Sequence, residues 1–336
     1  MAARRARGVA MMVAAATLVF ASGCSSGGSA GTPAGVEKPD LNVAVVPALD
    51  SAGFFVALYD GLFAKEGLHV TFTPATSSDT VISAQVKGQY DITGGNYVSY
   101  IQQEALGQAN LDIFAEGSVM EPGDQGIYVM PDSPIKSLAD LRGRTIAINA
   151  PKNILYLLVA SVLAEHGIPV NSVKFVTTIP FPGMPAALKA GTIDAAVLPE
   201  PFASVAEQAD GAAPLVDLDQ GATTNFPVEG YVVTKQWAAK YPRTLAAFDQ
   251  ALEEGQQIAD ANRAAVQQAF EDLPMKPEPL GVSKQIASVM ALDHYPFTSG
   301  SAGSVDPVRL RRVVDVMQQF LGFDPSFNIN SMLTGG

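Results

Sequence analysis

The segment GFFVALYDGLFAKEGL, residues 53–68, decides the fold that this sequence predicts. It reads as a helix because apolar side chains recur at positions i, i+4 and i+8, on one helical face. A strand-like apolar run, residues 41–46, comes before it, and an alternating run, residues 69–73, follows its glycine stop. A strand, a helix and a strand in this order predict a β-α-β unit with parallel strands. The apolar face of the helix is formed by Phe54, Leu58 and Leu62.

The same alternation of strand-like and helical patterns continues on both sides of a turn-rich stretch at residues 121–124. From Trp237 onward the pattern is largely helical. Two α/β series followed by a helical tail predict an α/β protein with mostly parallel strands and two lobes joined by a pair of crossing strands. We assign residues 39–125 and 229–336 to lobe 1 and residues 126–228 to lobe 2.

The start of the chain has the features of an export signal. Three arginines within residues 4–7 precede an uncharged apolar stretch, residues 8–20, and small residues lead to Cys24. This order resembles the lipobox of bacterial lipoproteins, although Ala21 stands where that family usually has Leu. It implies a signal peptide at residues 1–23, lipidation of Cys24 and a flexible Ser/Gly-rich tether at residues 24–38. The alternative is an ordinary secretory signal with a chance cysteine.

Composition excludes several function classes for the remaining body of about three hundred residues. The net charge of the chain is −12, and an acidic body argues against nucleic acid as a partner. Cys24 is the one cysteine, so the body has no thiol for nucleophilic catalysis or zinc binding. The three histidines lie far apart, without a second ligand at metal-binding spacing. We therefore expect neither a metal nor a cofactor.

Four phrases along the chain carry a family resemblance. They are residues 53–68, residues 88–95 with their Gly-x-x-Asp pattern, residues 137–147, and residues 187–196 followed by Glu200-Pro201. In this order they resemble the nitrate/sulfonate/taurine and thiamine-pyrimidine-precursor binding proteins of ABC importers. The resemblance implies a type II periplasmic-binding-protein fold: α/β, two doubly wound lobes joined by a two-strand hinge, with a helical C-terminal tail.

The resemblance also implies a function. The chain would be a monomeric, extracytoplasmic solute-binding component that is held at the membrane by its lipid anchor. It would capture a small organic ligand between the lobes by hinge closure and deliver it to permease subunits with a cytoplasmic ATPase. It would not be an enzyme.

The residues themselves indicate where the ligand binds. In open α/β sheets, ligands lie beyond the carboxyl ends of the strands, where loops meet helix N-termini. Five such loops are visible, and glycine in them lets the backbone approach a ligand closely. The predicted ligand-binding residues in and beside these loops are Asp50, Phe54, Phe55, Ser77, Ser78, Gly95, Asn96, Tyr97, Lys152, Asn153, Phe181, Gly183 and Glu200.

The loops favour a flat, neutral or weakly basic heterocycle, such as a pyrimidine-type thiamine precursor. They are rich in aromatic side chains, and Lys152 is their only fixed cation. The alternative ligand is an alkanesulfonate, taurine or nitrate, held by helix N-termini. Each aromatic has a core position as its own alternative, above all Phe54 and Tyr156, which fall on helical faces.

Two other function classes compete with solute capture. The first is an enzyme on the same fold, but the pyrimidine-precursor synthases that resemble these binding proteins carry a cysteine-rich iron motif. This body has no cysteine after Cys24. The second is a ligand-sensing lobe of a membrane receptor, which would differ only in its docking partner.

Overall fold

The computed structural model describes residues 35–271, residue 273, the backbone of residues 298–299, and residues 305–333. The predicted signal peptide, Cys24 and the tether up to residue 34 lie outside the described residues. Within the described part, no helix is both long enough and apolar enough to cross a bilayer.

Two mixed sheets organise the fold. The first contains, in chain order, β1 (Asp40–Val45), β2 (His69–Pro74), β3 (Ile92–Asn96), β4 (Leu111–Val119), β10 (Pro227–Thr234) and β11 (Thr298–Ser299). The second contains β5 (Gln125–Val129), β6 (Thr145–Ala147), β7 (Lys174–Val176), β8 (Ala195–Pro199) and β9 (Ala213–Asp217). The spatial orders are β11-β4-β10-β3-β1-β2 and β7-β6-β8-β5-β9.

The chain passes between the sheets twice, from β4 to β5 and from β9 to β10. These passages form the two-strand hinge, and the predicted fold class is confirmed. We call β5 and β10, which follow the two passages, the hinge strands. The expectation of mostly parallel strands is wrong where they pair, because each runs against the direction of its neighbours. Strand β10 is antiparallel to β3 and β4, and β5 is antiparallel to β8 and β9. The lobe boundaries given above stay a prediction.

Helices connect and cover the strands. In chain order they are α1 (Ala52–Tyr59), α2 (Leu62–Lys65), α3 (Ser78–Val86), α4 (Tyr97–Ala105), α5 (Ile154–Glu165), α6 (Met184–Lys189), α7 (Phe202–Asp210), α8 (Lys235–Lys240), α9 (Pro242–Ala261), α10 (Arg263–Glu271) and α11 (Pro307–Leu321).

The first predicted helix is divided into two. Gly61 has a φ of 71°, in the left-handed region, and separates α1 from α2. Moreover, α1 is buried all round rather than along one stripe: residues 52–57 are all buried. It packs against α9 and α10 and, through the ring of Phe54, against Phe72 and Tyr231 of the sheet, which is why an interpretation based on one apolar face was incomplete.

The C-terminal helix α11 contacts α4, which follows β3, and α5, which follows β6. Its Arg312 donates hydrogen bonds to the carbonyls of Ala222 and Asn225 at 3.0 and 3.1 Å. The same guanidinium lies 5.7 Å from the ring centre of Phe226. The helical tail therefore braces the chain at the entry to hinge strand β10.

Helices α1 and α9 approach so closely that glycine is required at their contact. A Cβ built on Gly255 would lie 2.7 Å from the Cβ of Ala57 and 3.0 Å from its backbone nitrogen. Backbone atoms cannot move aside without separating the two helices.

We therefore expect Gly255→Ala to destabilise the protein by about 1–3 kcal/mol in chemical denaturation, because the overpacking exceeds the gain in helix propensity. The control is Gln257→Ala on the exposed face of α9, which should change stability by less than about 0.5 kcal/mol. A stabilised Gly255→Ala protein would contradict this description of the contact.

Candidate functional site

A narrow cavity lies where elements of both sheets meet; about 40 Å³ of it admits the centre of a water molecule, within about 410 Å³ of space that includes its open mouth. Its wall is built from the ends of β1, β3 and β8, the first residues of α3 and α5, and both hinge strands. The hinge strands contribute Gln125 from β5 and Val228 and Glu229 from β10. A concave wall of apolar side chains with a few convergent polar groups is typical of a small-molecule site.

Six of the residues predicted from the sequence line this cavity. Four come from the first-sheet side of the chain and two from the second. The strand-to-helix loops that the sequence singled out do converge here, because parallel strands direct their carboxyl ends to the same edge. The six residues are Asp50, Ser78, Gly95, Asn96, Asn153 and Phe181.

Phe54 and Phe55 lie elsewhere: both are on α1, and their side chains are fully buried in the core. The ring of Phe55 packs edge-on against Phe72 and Phe270, each 5.2 Å away between ring centres. A side chain held on several sides by other rings cannot turn to a ligand without opening the core. The alternative core interpretation therefore describes Phe54 and Phe55.

The other five predicted residues do not line the cavity. Ser77 occupies the N-cap position of α3, and the ring of Tyr97 fills the space beside Gly230, where an added Cβ would lie 2.7 Å from its Cζ. Lys152 is exposed and its carbonyl accepts a hydrogen bond from Gln102. Gly183 ends the turn before α6.

Glu200, the last of these five, directs its carboxylate back into its own turn. It accepts hydrogen bonds from the hydroxyl of Ser204 at 2.8 Å and from the backbone of the same residue at 3.3 Å. The carboxylate thus stabilises the first turn of α7.

On the first-sheet side of the cavity, Ser78 and Asn96 are joined by hydrogen bonds. Asn96 donates to the Ser78 hydroxyl from its backbone and from its side-chain amide, both at 2.9 Å. The oxygen of the same amide caps α4 by accepting from Ser99. Gly95 permits this approach, since a Cβ there would lie 2.9 Å from the Cβ of Ser78.

On the opposite side, Asn153 has the same role for α5. Its Oδ1 accepts from the backbone of Tyr156, and its Nδ2 donates to Asn149 at 2.6 Å. Both Asn96 and Asn153 are buried. Each is a helix cap whose amide is already engaged within the protein.

Two acidic residues line the cavity, and the sequence signals identified only one of them. Asp50 accepts a hydrogen bond from Ser118 at 3.1 Å, and Glu229 accepts one from Ser51 at 2.5 Å. Burial raises the pKa of Asp50 to about 6 despite the Ser118 hydrogen bond. Burial and the neighbouring Asp50 raise the pKa of Glu229 well above its usual range.

Gln125 was also missed. Both Gln125 and Glu229 lie on hinge strands, whereas the predicted site residues were taken from loops that precede helices. The sequence predicts a strand at residues 231–234, just after Glu229, but the observed strand already begins at Pro227. An acidic residue within an apolar run, PVEGYVV, was the available signal.

Three direct hydrogen bonds join segments on the two sides of the cleft, and in one of them the side-chain amide of Asn149 donates to the carbonyl of Thr76 at 3.4 Å. The backbone of Leu49 donates to the carbonyl of Glu200 at 3.0 Å, and Gln102 donates to the carbonyl of Lys152 at 3.0 Å. Among the described residues, no three His, Cys, Asp or Glu side chains are grouped so as to hold a metal ion.

Comparison with solved structures gives the same architecture. The alkanesulfonate-binding protein SsuA from Xanthomonas axonopodis pv. citri has a TM-score of 0.71 at 15% identity, over 89% of this chain and 99% of that one. The periplasmic nitrate-binding protein NrtA from Synechocystis PCC 6803 has a TM-score of 0.71 at 16% identity, over 88% and 85%.

Sequence comparison finds curated relatives. The taurine-binding periplasmic protein of Escherichia coli is 30% identical over 224 residues, 66% of this chain and 68% of the relative. The bicarbonate transport ATP-binding protein CmpC of Synechocystis is 30% identical over 235 residues, 65% of this chain. This chain spans only 35% of the length of that relative.

These likenesses confirm the resemblance to nitrate-, sulfonate- and taurine-binding proteins that the sequence motifs predicted. The model of the NMT1-like family matches residues 34–271, a stretch that includes every residue lining the cavity. The chain belongs to the NMT1-like family.

Proposed function

We propose that this protein is the extracytoplasmic solute-binding component of an ABC importer, and that it captures a small organic ligand between its lobes. The observation that carries the proposal is the position of the cavity. It is lined from both sheets and by both hinge strands. A hinge rotation therefore opens or closes its walls together.

Closure gives such a protein its selectivity. Ligand contacts on both sides of the cavity form only in the closed state, so the ligand favours that state by its differential affinity. The direct hydrogen bonds from Leu49 to Glu200 and from Gln102 to Lys152 support the closed state from the rim.

Partners and location follow from this role. The closed protein docks on permease subunits served by a cytoplasmic ATPase, and a lipid on Cys24 keeps it beside them. Its sequence relatives and the solved structures of similar fold include a taurine-binding periplasmic protein and an alkanesulfonate-binding protein, which supports a binding role rather than an enzymatic one. A monomer is sufficient, because a single chain supplies both walls of the cavity.

For the ligand we favour a flat heterocycle such as a pyrimidine-type thiamine precursor. Phe181 lines the cavity and is stacked on Phe202, with 5.6 Å between ring centres and 17° between ring planes. This pair offers an aromatic surface to a ring. An alkanesulfonate, taurine or nitrate is the second candidate, supported by what the relatives bind.

A thermal-shift panel of thiamine-precursor pyrimidines, taurine, alkanesulfonates and nitrate tests the proposal. A ligand present at about 100 times its Kd should stabilise the protein by about 2.7 kcal/mol. Asn153→Ala should raise the ligand concentration needed for the same shift at least tenfold, because it removes a cap at the cavity wall.

Asn328→Ala is the matched control for this test, since it also removes an asparagine cap but lies outside the cavity lining. Its unliganded melting temperature should fall, while the ligand-induced shift is kept. If no compound of the panel shifts the wild-type melting temperature, the proposed function is wrong; if only sulfonates do, the preference for a heterocycle is wrong.

A further inference from the structure

The polar wall of the cavity is dominated by hydrogen-bond acceptors. Asp50 and Glu229 contribute carboxylates, and their hydroxyl partners, Ser118 and Ser51, carry no charge. Among the described residues that line the cavity there is no lysine, arginine or histidine. Two carboxylates therefore face a shared space without a fixed cation between them.

The side-chain carbonyl oxygen of Gln125 is a further hydrogen-bond acceptor in the same wall, in addition to the two carboxyl groups. Its side chain is 2% exposed, and its Oε1 has no hydrogen-bond partner among the described residues. An unsatisfied buried carbonyl oxygen is costly and uncommon in proteins. A ligand that brings N–H donors would satisfy this oxygen, whereas an anion would not.

The amide donors of the cavity are already used. The Nδ2 of Asn96 donates to Ser78, and the Nδ2 of Asn153 donates to Asn149. The N-termini of α3 and α5 contribute partial positive charge, about half an elementary charge each. A bound cation lowers the pKa values that burial raises in Asp50 and Glu229. The two carboxylates that then pair with it outweigh these dipoles at close range in a poorly solvated space.

Given the proposed function, we infer that the solute of this protein carries a cationic N–H donor group, an ammonium or an amidinium, that is bound between Asp50 and Glu229. The second nitrogen of an amidinium, or another proton of an ammonium, donates to the Oε1 of Gln125. The apolar part of the solute lies toward Phe181. This chemistry differs from that of a nitrate or simple sulfonate, which have no donor to offer.

Matched pairs of probes test the sign of the charge that the cavity accepts. Benzamidine and benzoate share one ring and differ in charge, as do pyrimidin-5-ylmethylamine and pyrimidine-5-carboxylate. We expect calorimetric titration of the full chain to show one-to-one binding of a cationic member and none of its anionic partner.

Asp50→Asn and Glu229→Gln should each weaken binding of the cationic probe at least 30-fold. Asp249→Asn is the matched control: its carboxyl is also partly buried, with a pKa raised to about 6, but it lies on α9 outside the cavity. The affinity of this variant for the cation should stay within twofold of wild type.

The outcomes separate the two proposals. The cationic-solute inference is overturned if an anionic probe binds more tightly than its cationic partner. It is also overturned if both Asp50→Asn and Glu229→Gln keep the wild-type affinity for the cationic probe. Binding of nitrate or an alkanesulfonate that is lost in Asn153→Ala, with no cation bound, also overturns it and leaves solute capture intact. If no cationic probe binds while any compound of the thermal-shift panel does, the cationic-solute inference alone fails; if neither these probes nor any compound of that panel binds, both proposals fail.

Discussion

Replacing Asp50 with asparagine is expected to stabilise the ligand-free protein at neutral pH, by up to about 3 kcal/mol. The carboxyl is buried, and burial raises its pKa from 3.8 to about 6. Above that pH the folded state must hold an ionised carboxylate that the unfolded chain would hydrate. An amide of the same shape carries no such cost, although it weakens binding of a cation.

The sign of the pH dependence follows from the raised pKa. Below about pH 3, Asp50 is protonated in both states, so its titration leaves the free energy of unfolding unchanged. As the pH rises toward 6, the unfolded chain releases the proton while the folded chain retains it, so wild-type stability falls. Glu229 and Asp124, whose pKa values burial also raises, act in the same direction.

Urea denaturation at pH 5 and pH 8 measures this effect. The gain from Asp50→Asn should be about half as large at pH 5 as at pH 8, because at pH 5 the folded protein keeps most of the proton that the unfolded chain has released. The Asp249→Asn control should give a similar gain at pH 8 without any change in ligand binding, since its raised pKa has the same main cause. If Asp50→Asn instead lowers the free energy of unfolding at pH 8, the carboxylate stabilises the fold and its burial is not a cost that a ligand would offset.

Replacing Arg309 with methionine is expected to destabilise the protein by about 3 kcal/mol. Its guanidinium forms an ion pair with Glu116, whose side chain is 2% exposed. The other carboxylate oxygen accepts the backbone N–H of Asp306 at 2.7 Å. Burial already raises the pKa of Glu116 while Arg309 opposes that rise. Without Arg309, a buried carboxylate of β4 loses the charge that compensates its burial.

The measurement is the free energy of unfolding at pH 8. The control, Lys65→Met, removes an exposed pair with Glu254 at 3.7 Å and should cost less than about 1 kcal/mol. Adding Glu116→Gln to Arg309→Met should recover part of the loss, because no charge is then buried. Equal losses for Arg309→Met and Lys65→Met would contradict the importance of this ion pair.

Local chemistry made much of the site predictable. Asn96 and Asn153 were expected in or beside loops where strands meet helix N-termini, and both are observed helix caps at the cavity. Such signals depend on a few neighbouring residues, since a cap needs only its own first helical turn. The family resemblance then implied two lobes with the ligand between them, with Asn96 in lobe 1 and Asn153 in lobe 2.

Long-range packing decided what local patterns could not. Phe54 and Phe55 directly follow a strand-to-helix loop, which is where a ligand site is expected. However, α9 and α10, which come much later in the chain, cover them. The sequence of α1 is apolar on both sides of the helix. It therefore does not distinguish an aromatic side chain in the core from one that faces a ligand.

The sequence by itself determined the α/β class, the two series of elements and the helix caps, because these depend on periodicity and local hydrogen bonding. Only the tertiary structure brought Asp50, Gln125 and Glu229 to one cavity, although successive members lie 75 and 104 positions apart in the sequence. The reason is that hinge-strand pairing is antiparallel and non-local, and its register selects which side chains of β5 and β10 face the cavity.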